Sequence, residues 1–344
     1  MKHTLRSLVA AGAALVAVAA SPLSAAELNL FAWSEYVPQA VLDKFTEETG
    51  IKVNYETYAS NEEMLSKLLG GAEYDLIQPS EYVIEVMVRR GMLAPIDFKA
   101  VPNFKNVDKA YLNLPHDPEQ KFSIPYMAGS VGIVVNTEKV KEPVKGYADV
   151  FSGKYAGRIV ALDDNRELLT WAFYTVGQDL NTINKDTLAK ARPVLAKWLP
   201  QIKIFDSDSP KTSLLNGEVD IGIVWSGEAA ILFNEDKKFQ YVLPAEGAHL
   251  FIDSLAIPKD APHKKEAHAF LDFILRPEIS VLVSADFPYT NPNVAARAQL
   301  SEEQRANPAS YPSEEDAKRL KTFRDIGKAA TEVDKLITDL RGEG

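Results

Sequence analysis

Apolar and polar positions change period several times along this chain, and each change predicts a switch between strand and helix. Leu28 to Trp33 is apolar with loose alternation and no helical period, which predicts a buried strand. Pro38 pre-sets the first turn of a helix through Val41, Leu42 and Phe45, and Gly50 ends it. Ile51 to Tyr58 alternates like a strand. Ser60 with Glu63 has capping-box spacing and opens a helix carrying Met64, Leu65, Leu68 and Leu69 on one face. Tyr74 to Gln78 is a short buried strand stopped by Pro79, and a helix follows through Val86 and Met87 to Gly91. Strands alternating with helices in this way predict a mostly parallel sheet covered on both faces.

The pattern resumes after a long apolar run. Phe122 to Asn136 contains Gly129 and Gly132 and reads as a strand passing from one domain into the next, with backbone approaching something closely. Arg158 to Leu162 is a strand, and Asp163-Asp164-Asn165-Arg166-Glu167 opens the helix after it. Val219 to Val224 runs as a strand into Trp225-Ser226-Gly227-Glu228. The chain returns through Leu250 to Pro258, forms a helix over Lys264 to Leu275, and makes a rigid aromatic turn at Phe287 to Asn293. Charged helices over Glu314 to Arg341 close it. There is no fixed-period repeat and no low-complexity tract.

The first residues do not belong to this pattern. Lys2, His3 and Arg6 precede the apolar run Leu8 to Ala20, and Pro22 with Ser24-Ala25-Ala26 follows. Residues 1–26 therefore read as a secretory signal peptide cut after Ala26. No later segment runs to about 18 uninterrupted apolar residues, so no membrane-spanning helix is expected after it. The remaining length of about 320 residues points to two domains. The formal net charge is −10, more negative once Lys2 and Arg6 are removed, which disfavours nucleic acid and anionic membranes and favours cationic ligands. With no cysteine, disulfides, thiolate metal sites and cysteine nucleophiles are excluded. The histidines show no metal-binding spacing, so neither a metal nor another cofactor is expected.

The candidate chemistry gathers where strands end. Trp33, Ser34, Glu35 and Tyr36 put an indole, a hydroxyl, a carboxylate and a phenol just beyond the first strand, where open α/β sheets bind ligands. Aromatic faces beside a carboxylate suit an organic cation. Alternatively, the rings pack under a loop with Glu35 in solvent. Ser80 and Tyr82 occupy the corresponding place after the third strand. Asp164 and Glu167, three apart, share a face at another strand end, where ordinary helix capping also explains an acidic turn. Ser207 lies in a polar loop, and Trp225 repeats the indole-at-strand-end arrangement. Asp253 is a lone carboxylate in an apolar run and calls for a cationic partner, either a ligand or an internal Lys or Arg.

From about Leu28 to Gly344 the chain resembles the polyamine-binding proteins of bacterial ABC importers, the spermidine/putrescine-binding family. The resemblance is carried by Trp33-Ser34-Glu35-Tyr36-Val37-Pro38, Tyr74-Asp75-Leu76 with Pro79-Ser80, Asp163 to Glu167, Trp225-Ser226-Gly227, Asp253 to Pro258 and Asn291 to Arg297. It implies an α/β, two-lobed periplasmic binding protein of type II-like architecture, each lobe a mostly parallel sheet flanked by helices. One lobe would comprise 27–133 and 255–298, the other 134–254 and 299–344. It further implies a monomeric, non-enzymatic protein of the periplasm that closes on a linear polyamine and delivers it to an inner-membrane ABC permease. By position, Trp33, Tyr36, Tyr82, Trp225 and Tyr289 match the family's aromatic wall, Glu35, Asp164, Glu167 and Asp253 its ammonium-binding carboxylates, and Ser34, Ser80 and Ser207 its polar contacts. Carboxylates near helix N-termini are expected to stay ionised at neutral pH. Phe251 stands where some members carry Trp, and Phe323 where some carry an amide. Phe251 and Ser34 lean toward putrescine, Asp164 and Tyr82 toward spermidine, and the balance places spermidine slightly ahead. The alternatives are another small cationic solute, such as thiamine, an amino-sugar or ferric ion, or a secreted glycosidase using Asp164 and Asp253 as acid and base.

Overall fold

The computed structural model describes residues 26–342, so the expected signal peptide lies outside the described residues apart from Ala26. Strand β1 (Glu27–Trp33) pairs in parallel with β2 (Lys52–Tyr58) on one side and β3 (Leu76–Ile77) on the other. Helices α1 (Gln39–Thr49), α2 (Asn61–Leu69) and α3 (Glu81–Arg89) follow them in turn. Gly50 ends α1 in the left-handed region at φ 70°, which an unbranched backbone adopts freely. Ser60 caps α2 by accepting from Glu63 N at 3.1 Å, but the Glu63 carboxylate accepts from Ala59 N rather than Ser60 N. β3 is shorter than the run Tyr74–Gln78 suggests. Asp75 turns its carboxylate to accept from the amides of Asn29 and His263, and Pro79 has no N–H to continue a ladder.

Two long strands follow a different rule. β4 (Ser123–Asn136) is buried over its whole length and pairs antiparallel with β9 (Ala248–Ala256). Ile124, Tyr126 and Met127 at one end of β4 pack with β1, α1, α9 (Lys264–Ile274) and α10 (Pro277–Asp286) in a first core that includes Leu30, Phe45, Phe270 and Phe273. Val131, Ile133 and Val135 at the other end join a second core with Ile159, Trp171, Phe173, Trp198 and Ile223. That second body comprises β5 (Ile159–Ala161), β6 (Ile202–Phe205), β7 (Ile221–Trp225) and β8 (Phe239–Val242). It also holds α4 (Tyr147–Val150), α5 (Asn165–Thr175), α6 (Lys185–Trp198), α7 (Lys211–Leu215) and α8 (Ser226–Glu235). The main strand order is β2-β1-β3-β9-β4-β7-β5-β6: parallel pairs at each end, joined by antiparallel ones in the middle. A short β10 (Leu320–Lys321) adds to β9, and the C-terminal helix Ala329–Gly342 packs on α5 and α6. The glycines of β4 make room for rings: a Cβ at Gly129 would collide with Phe251, and one at Gly132 with Tyr241. Among the described residues, no helix is long and apolar enough to cross a membrane.

Candidate functional site: a cleft of aromatic rings and carboxylates

The carboxyl ends of β1, β2 and β3 face those of β5 and β7 across a cleft of about 540 Å³. Trp33, Ser34, Glu35, Tyr36, Ser80, Tyr82, Asp164, Glu167, Ser207, Trp225, Phe251, Asp253 and Tyr289 all line it. Its aromatic wall is continuous. Trp33 and Tyr36 have ring centroids 6.4 Å apart, Tyr36 and Tyr289 5.3 Å, Tyr289 and Phe251 5.9 Å, and Phe251 and Trp225 5.6 Å. Gly227, in the first turn of α8, is what lets Tyr289 lie there, since a Cβ at that position would strike the Tyr289 ring. The Trp225 indole donates to the Ser207 carbonyl at 2.9 Å, which fixes its plane. The buried Trp33 indole N–H and Ser207 hydroxyl have no hydrogen-bond partner among the described residues. Ser34 has a local role, its hydroxyl donating to the Tyr58 carbonyl at 3.4 Å.

Asp253 lies on β9 in the floor and is 2% exposed. Tyr36 Oη donates to one of its oxygens at 2.8 Å and Ser80 Oγ to the other at 2.6 Å. Asn61 braces Ser80 by donating to its Oγ at 3.1 Å, and also donates to Tyr82 Oη at 3.0 Å. No Lys, Arg or His forms an ion pair with Asp253 among the described residues, so its partners are neutral hydroxyls. Burial pushes its pKa up to about 7, against the lowering effect of the two hydrogen bonds. Asp164 caps α5 by accepting from Glu167 N at 2.9 Å and likewise has no ion-pair partner among the described residues. Burial, then the neighbouring Glu167, raise it to about 6. At Asp164 desolvation works against the helix dipole but leaves the carboxyl mostly ionised at pH 7, whereas Asp253 lies within β9 and has no helix dipole to oppose its burial.

The other two expected carboxylates are ion-paired within the chain, each sharing one cation with a second carboxylate. Glu167 accepts from, or shares a proton with, His249 Nδ1 at 2.6 Å, and the other ring nitrogen meets Glu81 at 3.0 Å. All three side chains are buried. Burial works against a charge on His249, but Glu167 and Glu81 outweigh it and raise its pKa to about 9. The imidazole stacks on Phe323 at 3.5 Å, and the second Glu167 oxygen is buried without a hydrogen-bond partner among the described residues. Glu35 ion-pairs with Lys211 at 2.9 Å, and Lys211 also pairs with the buried Glu228 at 2.8 Å. Sequence reasoning did not single out Asn61, Glu81, Lys211, Glu228 or His249. Glu81 and Glu228 carried a local signal, each in the first turn of a helix beside residues already named at a strand end.

A two-sided cleft walled by aromatic rings, floored by uncompensated carboxylates and crossed by two long strands is the architecture of a solute-binding protein. Residues 40–312 match the family described as bacterial extracellular solute-binding protein. The chain is 36% identical to the spermidine/putrescine-binding periplasmic protein of Escherichia coli (strain K12), over 99% of each. It is 35% identical to the putrescine-binding periplasmic protein SpuD of Pseudomonas aeruginosa (strain UCBPP-PA14), over 94% of this chain and 93% of that protein. The substrate-binding protein PotD of a Streptococcus pneumoniae spermidine/putrescine ABC transporter superposes with a TM-score of 0.81, is 34% identical, and is matched over 92% of this chain and 99% of that one. This chain belongs to the bacterial extracellular solute-binding protein family and is similar to its polyamine-binding members, which are transport proteins rather than enzymes.

Proposed function

We propose that the protein captures a polyamine of the spermidine and putrescine class in this cleft, in the periplasm, and delivers it to an ABC permease. The observation that carries the reading is the pair Asp164 and Asp253, two desolvated carboxylates without an ion-paired cation among the described residues, set in an aromatic-walled cleft. Each ammonium of a polyamine brings a charge and up to three donors, while the methylenes between ammoniums want flat apolar faces. Asp253 would take one ammonium together with Ser80 and Tyr36, and Asp164 another with the unpartnered Glu167 oxygen nearby. Trp33, Tyr36, Trp225, Phe251 and Tyr289 would sandwich the chain between them, and Tyr82 would close the Asp164 end. Ser34, Ser207 and Glu35 complete the proposed lining.

The proposed lobes, 27–133 with 255–298 and 134–254 with 299–344, would move about β4 and β9. A ligand touching Trp33 and Trp225 together would bridge the two lobes, bind the approximated lobes better and so shift the balance toward closure. Small-angle scattering of the purified protein should show a smaller radius of gyration with saturating ligand. An unchanged radius in a sample shown by calorimetry to have bound polyamine would refute the closure. Within the polyamine class, the leaning toward spermidine rests on Asp164 and Tyr82, and the leaning toward putrescine on Phe251 and Ser34.

A further inference from the structure

One end of the cleft already contains an ammonium, and it belongs to the chain. Lys211, the first residue of the short helix α7, sends Nζ to Glu35 Oε2 at 2.9 Å, Glu228 Oε1 at 2.8 Å and Ser209 Oγ at 3.2 Å. Three acceptors are what a primary ammonium asks for. The seat is built on purpose-shaped parts. Glu228 is buried, and its second oxygen accepts from the Lys211 backbone N–H at 3.3 Å, so the carboxylate holds the lysine at both ends. Glu35 reaches the seat from beyond β1 with its backbone in the left-handed region at φ 55°, a conformation that an ordinary residue adopts at a cost of about 1 kcal/mol. The Lys211 side chain is only 15% exposed, and its two carboxylates hold it protonated against the opposing effect of burial.

This seat adjoins the polyamine site. Glu35 and Glu228 line the same cleft as Asp253, and the Tyr289 ring stands in the field of all three carboxylates. The cleft thus offers cation positions of two kinds. Among the described residues, Asp253 and Asp164 have no ion-paired cation; Glu35 with Glu228 have Lys211, as Glu167 has His249.

We infer that Lys211 is a specificity-determining residue: its ammonium occupies the Glu35–Glu228 seat as a resident stand-in for a ligand's third ammonium, leaving two open seats and selecting a diamine over a triamine. The inference rests on the polyamine reading above and revises the slight preference for spermidine. A triamine entering this cleft must either displace Lys211 from a desolvated three-acceptor seat or leave its third charge beside a like charge, and both reduce its affinity.

The test compares wild type, Lys211→Met and Lys211→Arg in calorimetric titrations with putrescine and spermidine at one pH and ionic strength. Wild type should bind putrescine more tightly than spermidine. Lys211→Met keeps the stem and frees both carboxylates, so the spermidine-to-putrescine affinity ratio should rise about tenfold or more. Lys211→Arg keeps a cation in the seat and should leave the ratio within about threefold of wild type. If Lys211→Met fails to fold because Glu228 is left buried and unpaired, Lys211→Met with Glu228→Gln removes that strain. Glu35 then remains as acceptor, and the ratio should still rise by about threefold or more. A wild type that prefers spermidine, or a ratio unchanged in a folded Lys211→Met or double variant, would overturn the inference while leaving polyamine capture standing. A wild type that binds neither amine would instead remove the polyamine reading itself.

Discussion

Asp253→Asn separates a ligand-binding carboxylate from a structural one. In the free protein the charged form of Asp253 is disfavoured, because burial pushes its pKa up to about 7, a cost to the charged form of about 4 kcal/mol. Its partners, the Tyr36 and Ser80 hydroxyls, can rotate to serve an amide as readily as a carboxylate. The variant keeps the shape and loses only the charge, so at pH 8 its ligand-free melting temperature should equal or exceed that of wild type. The sign follows from linkage. A carboxyl whose folded pKa is raised binds protons more tightly folded than unfolded, so wild-type stability from this group falls as pH rises from about 4 to about 7. The variant should lack that slope. Binding moves the other way, because the ligand ammonium loses its countercharge. Removing one partner of a buried charge pair costs about 2–5 kcal/mol, or roughly 30-fold to several thousand-fold in affinity. Both quantities are read on one sample, by differential scanning calorimetry and by titration with polyamine. Near-normal affinity together with a clearly lowered ligand-free melting temperature would make Asp253 structural and refute the assignment.

Three further outcomes follow from the same geometry. Polyamine affinity should fall by about three orders of magnitude between pH 8 and pH 5, because Asp253 and Asp164, with pKa values of about 7 and about 6, must release protons to receive ammoniums; a flat pH profile by calorimetry would contradict this. His249→Gln leaves Glu81 and Glu167 buried without a cation and should cost about 3–5 kcal/mol in chemical denaturation. Because the His249 pKa is raised to about 9, the stability it confers is full below about pH 6.5 and is lost as pH rises through 9, a decline the variant should not show. Gly227→Ala drives a Cβ into the Tyr289 ring, so thermal stability should drop by about 1–3 kcal/mol and polyamine affinity should weaken with it.

The sequence was most informative where local rules govern. Strands β1, β2 and β7 and helices α1, α2 and α9 follow from apolar period, caps and prolines, and thirteen residues named from strand ends and family resemblance line a single cleft. What escaped was charge pairing, because it is decided by which segments meet in space. Glu35 and Lys211 are 176 residues apart, and His249 joins Glu167 and Glu81 from distances of 82 and 168 residues. Along the chain Glu81 and Glu228 look like ordinary acidic first turns, and His249 like an isolated histidine. The upward pKa shifts escaped for a related reason: the helix N-terminus at Asp164 is visible in sequence, whereas the desolvation that raises Asp164 and Asp253 exists only once both sides of the cleft are in place.

The most direct test of polyamine capture is an isothermal titration of the purified chain, lacking residues 1–26, with putrescine and spermidine at pH 8. One polyamine should bind per chain with a dissociation constant below about 10 μM, equivalent to about −7 kcal/mol. The absence of binding by either amine up to about millimolar concentration, in protein shown to be folded and ligand-free, would contradict the account.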